Sequence, residues 1–178
     1  NITDDCSHVS YQLNEINVAK IGKENHAIYV GRKDGIDWKD KLCVAIGNAE
    51  LKIDNFKAAL DGKPNRSYQR YRNLSKMLDA AIEQKVDLLV LPENYMPLEW
   101  IPTVARFCAN NQIGLITGVE HVIVPKGKDR KRVYNLTAVI LPYEHQNQKF
   151  AHAFYHSKVN FSPEEKRQIE GHHGICQE

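Results

Sequence analysis

The pattern of apolar and polar positions changes character partway along the chain. Between residues 42 and 120, short runs of consecutive apolar residues alternate with stretches in which apolar residues recur every three or four positions. The runs are typical of strands covered on both faces, and the stretches of amphipathic helices that pack on a sheet. Beyond Val119, strand-like runs follow one another with only polar turns between them. This order predicts a layered α/β fold in which strand and helix alternate first and a meander of adjacent strands follows.

The clearest helix signal comes directly before the clearest strand signal. Within residues 70–85, Leu74, Leu78 and Ile82 share one helical face. Residues 1–40 keep no sustained period, so we interpret them as a lead-in or linker segment and residues 41–178 as the compact domain. The predicted elements of that domain are strands at 42–46 and 86–91, helices at 70–85 and 100–112, and further strands at 113–120, 121–125, 133–142 and 149–159.

Composition and charge narrow the class of protein. The chain has 178 residues, 42% of them hydrophobic, and a net charge of +2, which suits one globular domain and gives no argument for a nucleic-acid or membrane partner. It has neither an apolar run of the ~20 residues that a membrane helix needs nor a secretory signal, so we expect a cytoplasmic protein. The four cysteines are widely scattered, as expected of reduced thiols.

One predicted turn is strongly basic. Between residues 126 and 132, five of the seven residues are Lys or Arg, a composition that also occurs in nucleic-acid patches. Because no aromatic residue that could stack on a base is interleaved with them, we favour a solvated hairpin tip.

A glutamate stands where open α/β folds place their chemistry. Glu93 follows the apolar run at 86–91 and the strand-ending Pro92, so it is delivered to the carboxyl end of a buried strand. A plain turn at this point would more often use Asp, Asn or Gly.

The order of motifs from about residue 41 to residue 171 resembles that of the nitrilase, or carbon-nitrogen hydrolase, superfamily. The motifs are NLSKMLDAAIEQKVDLLVLPE, GLITGVE, VYNLTAVILP and FYHSKVNFSPEE. The resemblance implies that Glu93 is the general base, that Lys158 is the catalytic lysine, and that Cys176, in a pattern of the form I-C-x-E, is the nucleophile. It also implies a second glutamate shortly after the lysine, for which Glu164 and Glu165 both remain open.

The same resemblance implies a fold and an activity. Gly118 and the pair Tyr134-Asn135 are its supporting marks. The implied fold is a four-layer α-β-β-α sandwich, of which this chain covers the first half. Because the interval between Lys158 and Cys176 is short, we interpret the domain as incomplete at its carboxyl end. The implied enzyme uses no cofactor or metal, hydrolyses a small-molecule amide or nitrile through a thioester, and assembles as a homo-oligomer or with further domains of its polypeptide.

A second hypothesis comes from another class of protein. The chain could be a catalytically silent assembly or sensing module within a larger polypeptide. Modules of this kind are fused to glutamine-dependent synthetases, acyltransferases or defence-type reverse transcriptases. Nucleic acid would then be a partner only through the fused domain.

Metal binding is the competing site chemistry. His152 and His156 are four residues apart in a predicted strand, where they share a face but lie about 13 Å apart, too far for one ion. His172, His173 and Cys176 cluster near the carboxyl end without acidic partners of convincing spacing.

These assignments make two geometric predictions. Glu93 and Lys158 should lie within direct or one-water reach at the same end of the sheet, with Cys176 close to both if it is the nucleophile. Cys43 and Cys108 should be buried.

Overall fold

The computed structural model describes the backbone of residues 14–21, 25–32 and 174–176, and all atoms of residues 42–126 and 131–172. The chain divides into two compact units, residues 1–41 and 42–178. In the first unit, β1 (Asn14–Ile21) and β2 (Asn25–Arg32) form an antiparallel pair in which Asn14 lies opposite Arg32. Our interpretation of residues 1–40 as a lead-in did not predict this strand pair.

The second unit contains one sheet and four α-helices among its described residues. The strands are β3 (Val44–Ile46), β4 (Leu88–Val90), β5 (Gly114–Pro125), β6 (Lys131–His145), β7 (Gln148–Ser157) and β8 (Gly174–Cys176). The helices are α1 (Ile53–Leu60), α2 (Tyr68–Glu83), α3 (Ile101–Asn111) and α4 (Pro163–Gly171), with a short 3-10 helix at Leu98–Trp100.

The sheet is parallel at one edge and antiparallel at the other. Its order is β3-β4-β5-β6-β7, in which β3, β4 and β5 run parallel and β5, β6 and β7 form an antiparallel meander. Strand β8 pairs in parallel with the start of β6. The sequence therefore predicted correctly that strand and helix alternate before a meander, and the chain is an α/β domain.

One predicted boundary inside the meander is wrong. The strands expected at 113–120 and 121–125 are a single strand, β5, whose pairing with β6 shifts register between Val119 and Val122. The two polar residues at this irregularity, Glu120 and His121, are both buried. They look like a turn in the sequence because polar residues interrupt the apolar run, but they point into the structure.

Helices α2 and α3 cover one face of the sheet. Leu115 and Ile140, which lie opposite each other on β5 and β6, are fully buried with Leu74 of α2 and Val104 of α3. Each such side chain contributes about 1.5–3 kcal/mol when it leaves water. Of the helical stripe predicted within residues 70–85, Leu74 and Leu78 hold α2 on the sheet, whereas Ile82 is 43% exposed, so that part of the prediction was wrong.

The other face is covered only at one end by described elements. There α1 and α4 enclose a small second core of Leu60, Val133, Phe161 and Ile169. Nearer the parallel edge, Val44 and Ile46 are 49% and 81% exposed. The residues that share this face with them, Leu88, Val90, Ile116 and Val139, are only partly buried. We call these six residues the open apolar face.

No helix in the described part of the chain is both long enough and apolar enough to cross a membrane.

Candidate functional site

The turn that carries Glu93 is fastened to strand β5 at Gly118. The Gly118 amide donates to the Pro92 carbonyl at 3.0 Å, and the Gly118 carbonyl accepts from the amides of Tyr95 and Met96 at 3.1 and 3.0 Å. A Cβ atom on Gly118 would lie 2.4 Å from the Cα atom of Glu93. Only glycine permits this approach, which brings the carboxylate of Glu93 over the sheet.

Arg70 of α2 holds the same turn from the other side. Its guanidinium donates to the carbonyl of Tyr95 and to that of Asn65, forms an ion pair with Glu120 at 2.6 Å, and lies 5.7 Å from the centre of the Trp100 ring. Burial raises the pKa of Glu120 by more than Arg70 lowers it. Arg70, which is paired with the buried Glu120, fixes the backbone just after Glu93 through its hydrogen bond to the Tyr95 carbonyl.

Four polar side chains meet at the ends of β4 and β7. The Nζ atom of Lys158 donates to Glu93 Oε1 at 3.0 Å and to Glu165 Oε2 at 2.8 Å. The Nδ2 atom of Asn135, on β6, donates to Glu93 Oε1 at 3.0 Å and to Glu165 Oε1 at 2.9 Å. We call Glu93, Asn135, Lys158 and Glu165 the polar cluster. The prediction that Glu93 and Lys158 lie within direct reach is confirmed.

The charges of the polar cluster support one another. The hydrogen bond from Asn135 lowers the pKa of Glu93 despite partial burial, and Lys158 lowers it further. Burial would raise the pKa of Glu165, but hydrogen bonds from Lys158 and Asn135 outweigh it and the net shift is downward. Burial would lower the pKa of Lys158, but the two carboxylates raise it. At neutral pH the cluster therefore holds two negative charges and one positive charge.

The cluster borders a cleft of about 580 Å³. The lining includes Glu93 and Lys158 together with Thr137, His156 and Asn160. The side chain of Glu93 is 56% exposed, whereas that of Glu165 is 13% exposed. Glu93 thus faces the cleft, and Glu165 lies behind the lysine.

The structure distinguishes the two candidate second glutamates. Glu165 belongs to the polar cluster, whereas Glu164 contacts Arg167 and accepts from Gln168 at 2.9 Å. Glu165 takes this position because Ser162 caps α4 and accepts from the Glu165 amide at 3.2 Å. Serine, proline and an acid three residues after the serine form a helix-start signal that was present in the sequence.

His121 is a neighbour of the cluster that sequence reasoning missed. Its ring is buried, lies edge-on to Phe56 with centroids 5.0 Å apart, and has its Nε2 atom 3.5 Å from Glu165 Oε1. Burial lowers the pKa of His121, against the pull of Glu165. The only sequence signal was a polar pair, Glu120 and His121, inside an apolar run.

The structure describes the backbone of Cys176, the expected nucleophile, but not its side chain. Cys176 ends β8 and pairs with Val133, two residues before Asn135 on β6. Spacings of ~3.3 Å along a strand and ~4.8 Å between strands put the Cα atoms of Cys176 and Asn135 about 8 Å apart. The backbone of the candidate nucleophile therefore lies beside the polar cluster.

Cys43 and Cys108, the two cysteines that were expected to be buried, differ from each other in exposure. Cys108 is fully buried in the core, as predicted, and burial raises the pKa of its thiol to about 12. Cys43 is exposed, so that prediction was wrong. The reason is that Cys43 adjoins β3, which forms the edge of the sheet and has no described element over its open side.

The described histidines of the competing metal hypothesis lie in two different parts of the fold. His152 and His156 are both on β7, and the Nδ1 atom of His172 lies 2.9 Å from Asp61 Oδ1. His173 lies outside the described residues. Within residues 42–126 and 131–172, no group of three or more His, Cys, Asp or Glu side chains is placed to hold an ion.

Comparison with known proteins adds no assignment to this geometry. No model of a protein family matches the chain, and a search of curated proteins finds no match to its sequence.

Proposed function

We propose that the polar cluster is the active site of a carbon-nitrogen hydrolase that acts on an amide or a nitrile. The observation that carries the proposal is the contact of one ammonium, Lys158, with two carboxylates beside an open cleft. Ion pairs at this degree of exposure contribute little to stability, so stability alone is a weak reason for such an arrangement. A carboxylate base and a fixed ammonium beside a cleft are, in contrast, groups that the proposed acyl-transfer chemistry uses.

In the first half of the proposed reaction, Glu93 acts as the base. Its carboxylate takes the proton from the thiol of Cys176 while the sulfur forms a bond to the amide carbon, and the carbonyl electrons move to the oxygen. The protonated Glu93 then gives this proton to the amide nitrogen. The carbon-nitrogen bond breaks, ammonia leaves, and a thioester remains on the cysteine. A nitrile would be attacked at the equivalent carbon, with negative charge developing on its nitrogen.

In the second half, water replaces ammonia. Glu93 takes a proton from water while the oxygen bonds to the thioester carbon, and the carbon-sulfur bond then breaks. The sulfur recovers its proton from Glu93 as the carboxylic acid leaves, so the enzyme returns to its starting state. In the amide reaction Glu93 carries one proton in each half-reaction, and the net reaction consumes one water. A nitrile consumes a second water, which converts its thioimidate adduct to the thioester as ammonia leaves.

Lys158 supplies the charge that the transition state needs. Its raised pKa keeps the ammonium protonated at neutral pH, so it stabilises the oxyanion without giving up a proton. Glu165 balances this charge from the buried side and leaves Glu93 free to exchange its proton. The thiol of an ordinary cysteine has a pKa of ~8.5, so a neighbouring cation and base are both needed to raise its thiolate fraction.

The open apolar face supports the finer fold assignment, a four-layer α-β-β-α sandwich. Val44 and Ile46 are largely exposed, and burying one such side chain contributes about 1.5–3 kcal/mol. A second sheet packed on this face would bury its six residues and would also close the cleft beside Glu93. Charge interactions at the site would strengthen once water was excluded. We propose that this layer comes from a homo-oligomer partner or from another domain of the same polypeptide, in the cytoplasm.

The test compares a pair of glutamates that are adjacent in sequence but differ in contacts. Glu93→Gln, Lys158→Ala and Glu165→Gln should each lower the rate of ammonia release from a panel of primary amides and nitriles by at least ~100-fold. Glu164→Gln is the matched control and should keep nearly full activity, because Glu164 lies outside the polar cluster. Mass spectrometry of the quenched reaction should find the acyl group on Cys176.

The iodoacetamide reaction adds a readout that needs no substrate. Cys176 should be alkylated faster than the exposed Cys43, and Glu93→Gln should slow only the reaction of Cys176. Equal alkylation rates, with biological activity retained by Glu93→Gln and Lys158→Ala at an unchanged unfolding temperature, would favour the silent assembly or sensing module instead.

A further inference from the structure

We infer that Asn135 is a positioning residue that gives the two glutamates different tasks, because its single amide group holds both of them beside Lys158. The catalytic meaning of this inference rests on the proposed hydrolase, but the contacts themselves do not. In the sequence, Asn135 is only a mark of the family resemblance. In the structure it touches each of the other three members of the polar cluster.

The two side-chain hydrogen bonds of Asn135 use both hydrogens of its NH₂ group. The NH₂ group carries two hydrogens, and its Nδ2 atom lies 3.0 Å from Glu93 Oε1 and 2.9 Å from Glu165 Oε1. Both acceptors are carboxylate oxygens, so the side chain must present its nitrogen rather than its oxygen to them. One group thus joins two anions that would otherwise repel each other.

The backbone of Asn135 holds the third member. Its carbonyl accepts from the amide of Lys158 at 2.8 Å, just after β7 ends. Asn135 itself is only 2% exposed, so its orientation is set by packing on β6 rather than by solvent. It therefore fixes where the lysine leaves the strand and where both carboxylates end.

The consequence is a separation of roles. Two acceptors on one amide nitrogen lie about 5 Å from each other, a distance at which one carboxylate raises the pKa of its neighbour. The two hydrogens of Asn135 and the ammonium of Lys158 oppose this effect. Glu165, enclosed by Asn135, Lys158 and His121, stays ionised as the partner of the lysine. Glu93 has the same two donors but opens to the cleft, where it can exchange a proton.

A carbon-13 NMR titration of the side-chain carboxyls of Glu93 and Glu165 in the whole chain tests this inference directly. Assignments come from Glu93→Gln and Glu165→Gln. Asn135→Asp replaces both donors with a third carboxylate, and the pKa of Glu93 should rise by about one to three units. Asn135→Leu removes the donors without adding charge and should raise the pKa of both glutamates.

The control uses a second asparagine of the same cleft. Asn160→Asp adds the same charge in the lining without replacing the shared donor, so its effect on the pKa of Glu93 should be much smaller. The other titratable groups near Glu93 are Lys158, Glu165, His121 and, in the cleft lining, His156, all unchanged in these variants.

The outcomes separate this inference from the hydrolase proposal. If both glutamates titrate in Asn135→Leu as they do in the unsubstituted protein, the inference is wrong even if the chain hydrolyses amides. If Asn135→Asp fails to fold, Asn135→Leu still decides the question. Asn135→Ser keeps one donor, so it should raise the pKa of only one glutamate. If hydrolysis is observed, the acid limb of the kcat profile should move with the pKa of Glu93. An unshifted limb would overturn the assigned roles.

Discussion

Gly118→Ala tests whether the close approach of two backbones positions Glu93. The φ angle of Gly118 lies outside the left-handed region, so alanine itself is compatible with this conformation and only the added methyl group matters. That methyl carbon would lie 2.4 Å from Glu93 Cα, 2.5 Å from Asn94 N and 2.7 Å from Glu93 C. All three neighbours are backbone atoms, which cannot rotate away. The turn after β4 must therefore move off the sheet.

The expected cost follows from this geometry. Overpacking in a well-packed region costs typically ~1–3 kcal/mol, and a clash with three rigid atoms belongs at the upper end, about 3 kcal/mol. The displacement should also break the hydrogen bonds that Glu93 receives from Lys158 and Asn135. Urea unfolding followed by circular dichroism measures the first effect. The carbon-13 shift of the Glu93 carboxyl measures the second.

Gly171→Ala is the matched control. Gly171 ends α4 and has no atom within 4 Å of an added Cβ, so alanine should leave stability unchanged or raise it by ~0.5–1 kcal/mol. Equal unfolding midpoints for the two variants, with an unshifted Glu93 carboxyl signal in Gly118→Ala, would refute the argument that glycine is needed for close approach.

Two further predictions concern buried groups. With iodoacetamide at pH 8, Cys108 should react at least ~100-fold more slowly than Cys43. The reason is that the Cys108 thiol is fully buried and its pKa is raised to about 12. Similar rates for the two thiols in the folded protein would contradict the described core. The pKa of His121 is lowered by burial, so below pH ~6.5 the unfolded chain binds a proton that the folded chain does not. The free energy of unfolding should therefore fall as the pH falls through that window. Urea midpoints should fall less steeply with pH for His121→Leu. They should not do so for the control His156→Leu, whose side chain is exposed on β7. The same slope in both variants would assign the proton uptake to other groups.

Much of the site could be predicted from sequence because its two clearest members follow strong local signals. Glu93 comes after an apolar run and a proline, which mark the end of a strand whatever the rest of the fold does. Lys158 follows a strand-like run in the meander, and its proximity to Glu93 was expected because both residues stand at strand ends. Strand order alone does not bring these two together, since β5 and β6 lie between β4 and β7. The contact between Glu93 and Lys158 also needs the hydrogen bond from the Lys158 amide to the Asn135 carbonyl.

The roles of Asn135 and His121 could not be predicted, because they depend on contacts between distant parts of the chain. His121 points inward only because β5 shifts register between Val119 and Val122. Asn135 joins two glutamates only once α4 has folded back over β6. Helix α4 itself was predictable from Ser162 and the residues that follow it, and was missed. The choice between Glu164 and Glu165 depends on which side of α4 faces the sheet. The signal for that side was Ile169, which is buried and lies one helical turn after Glu165.

The sequence separations between members of the polar cluster bear on the order in which they meet during folding. Lys158 and Glu165 are seven residues apart, whereas Lys158 and Glu93 are 65 residues apart. Closing the longer loop costs about 2 kcal/mol more in chain entropy than closing the shorter one. The lysine and its buried partner can therefore meet as soon as α4 forms, while Glu93 arrives only when β4, β5, β6 and β7 are joined. On chain entropy alone we therefore expect Glu93, the base of the proposed chemistry, to join the cluster after Lys158 and Glu165 have met.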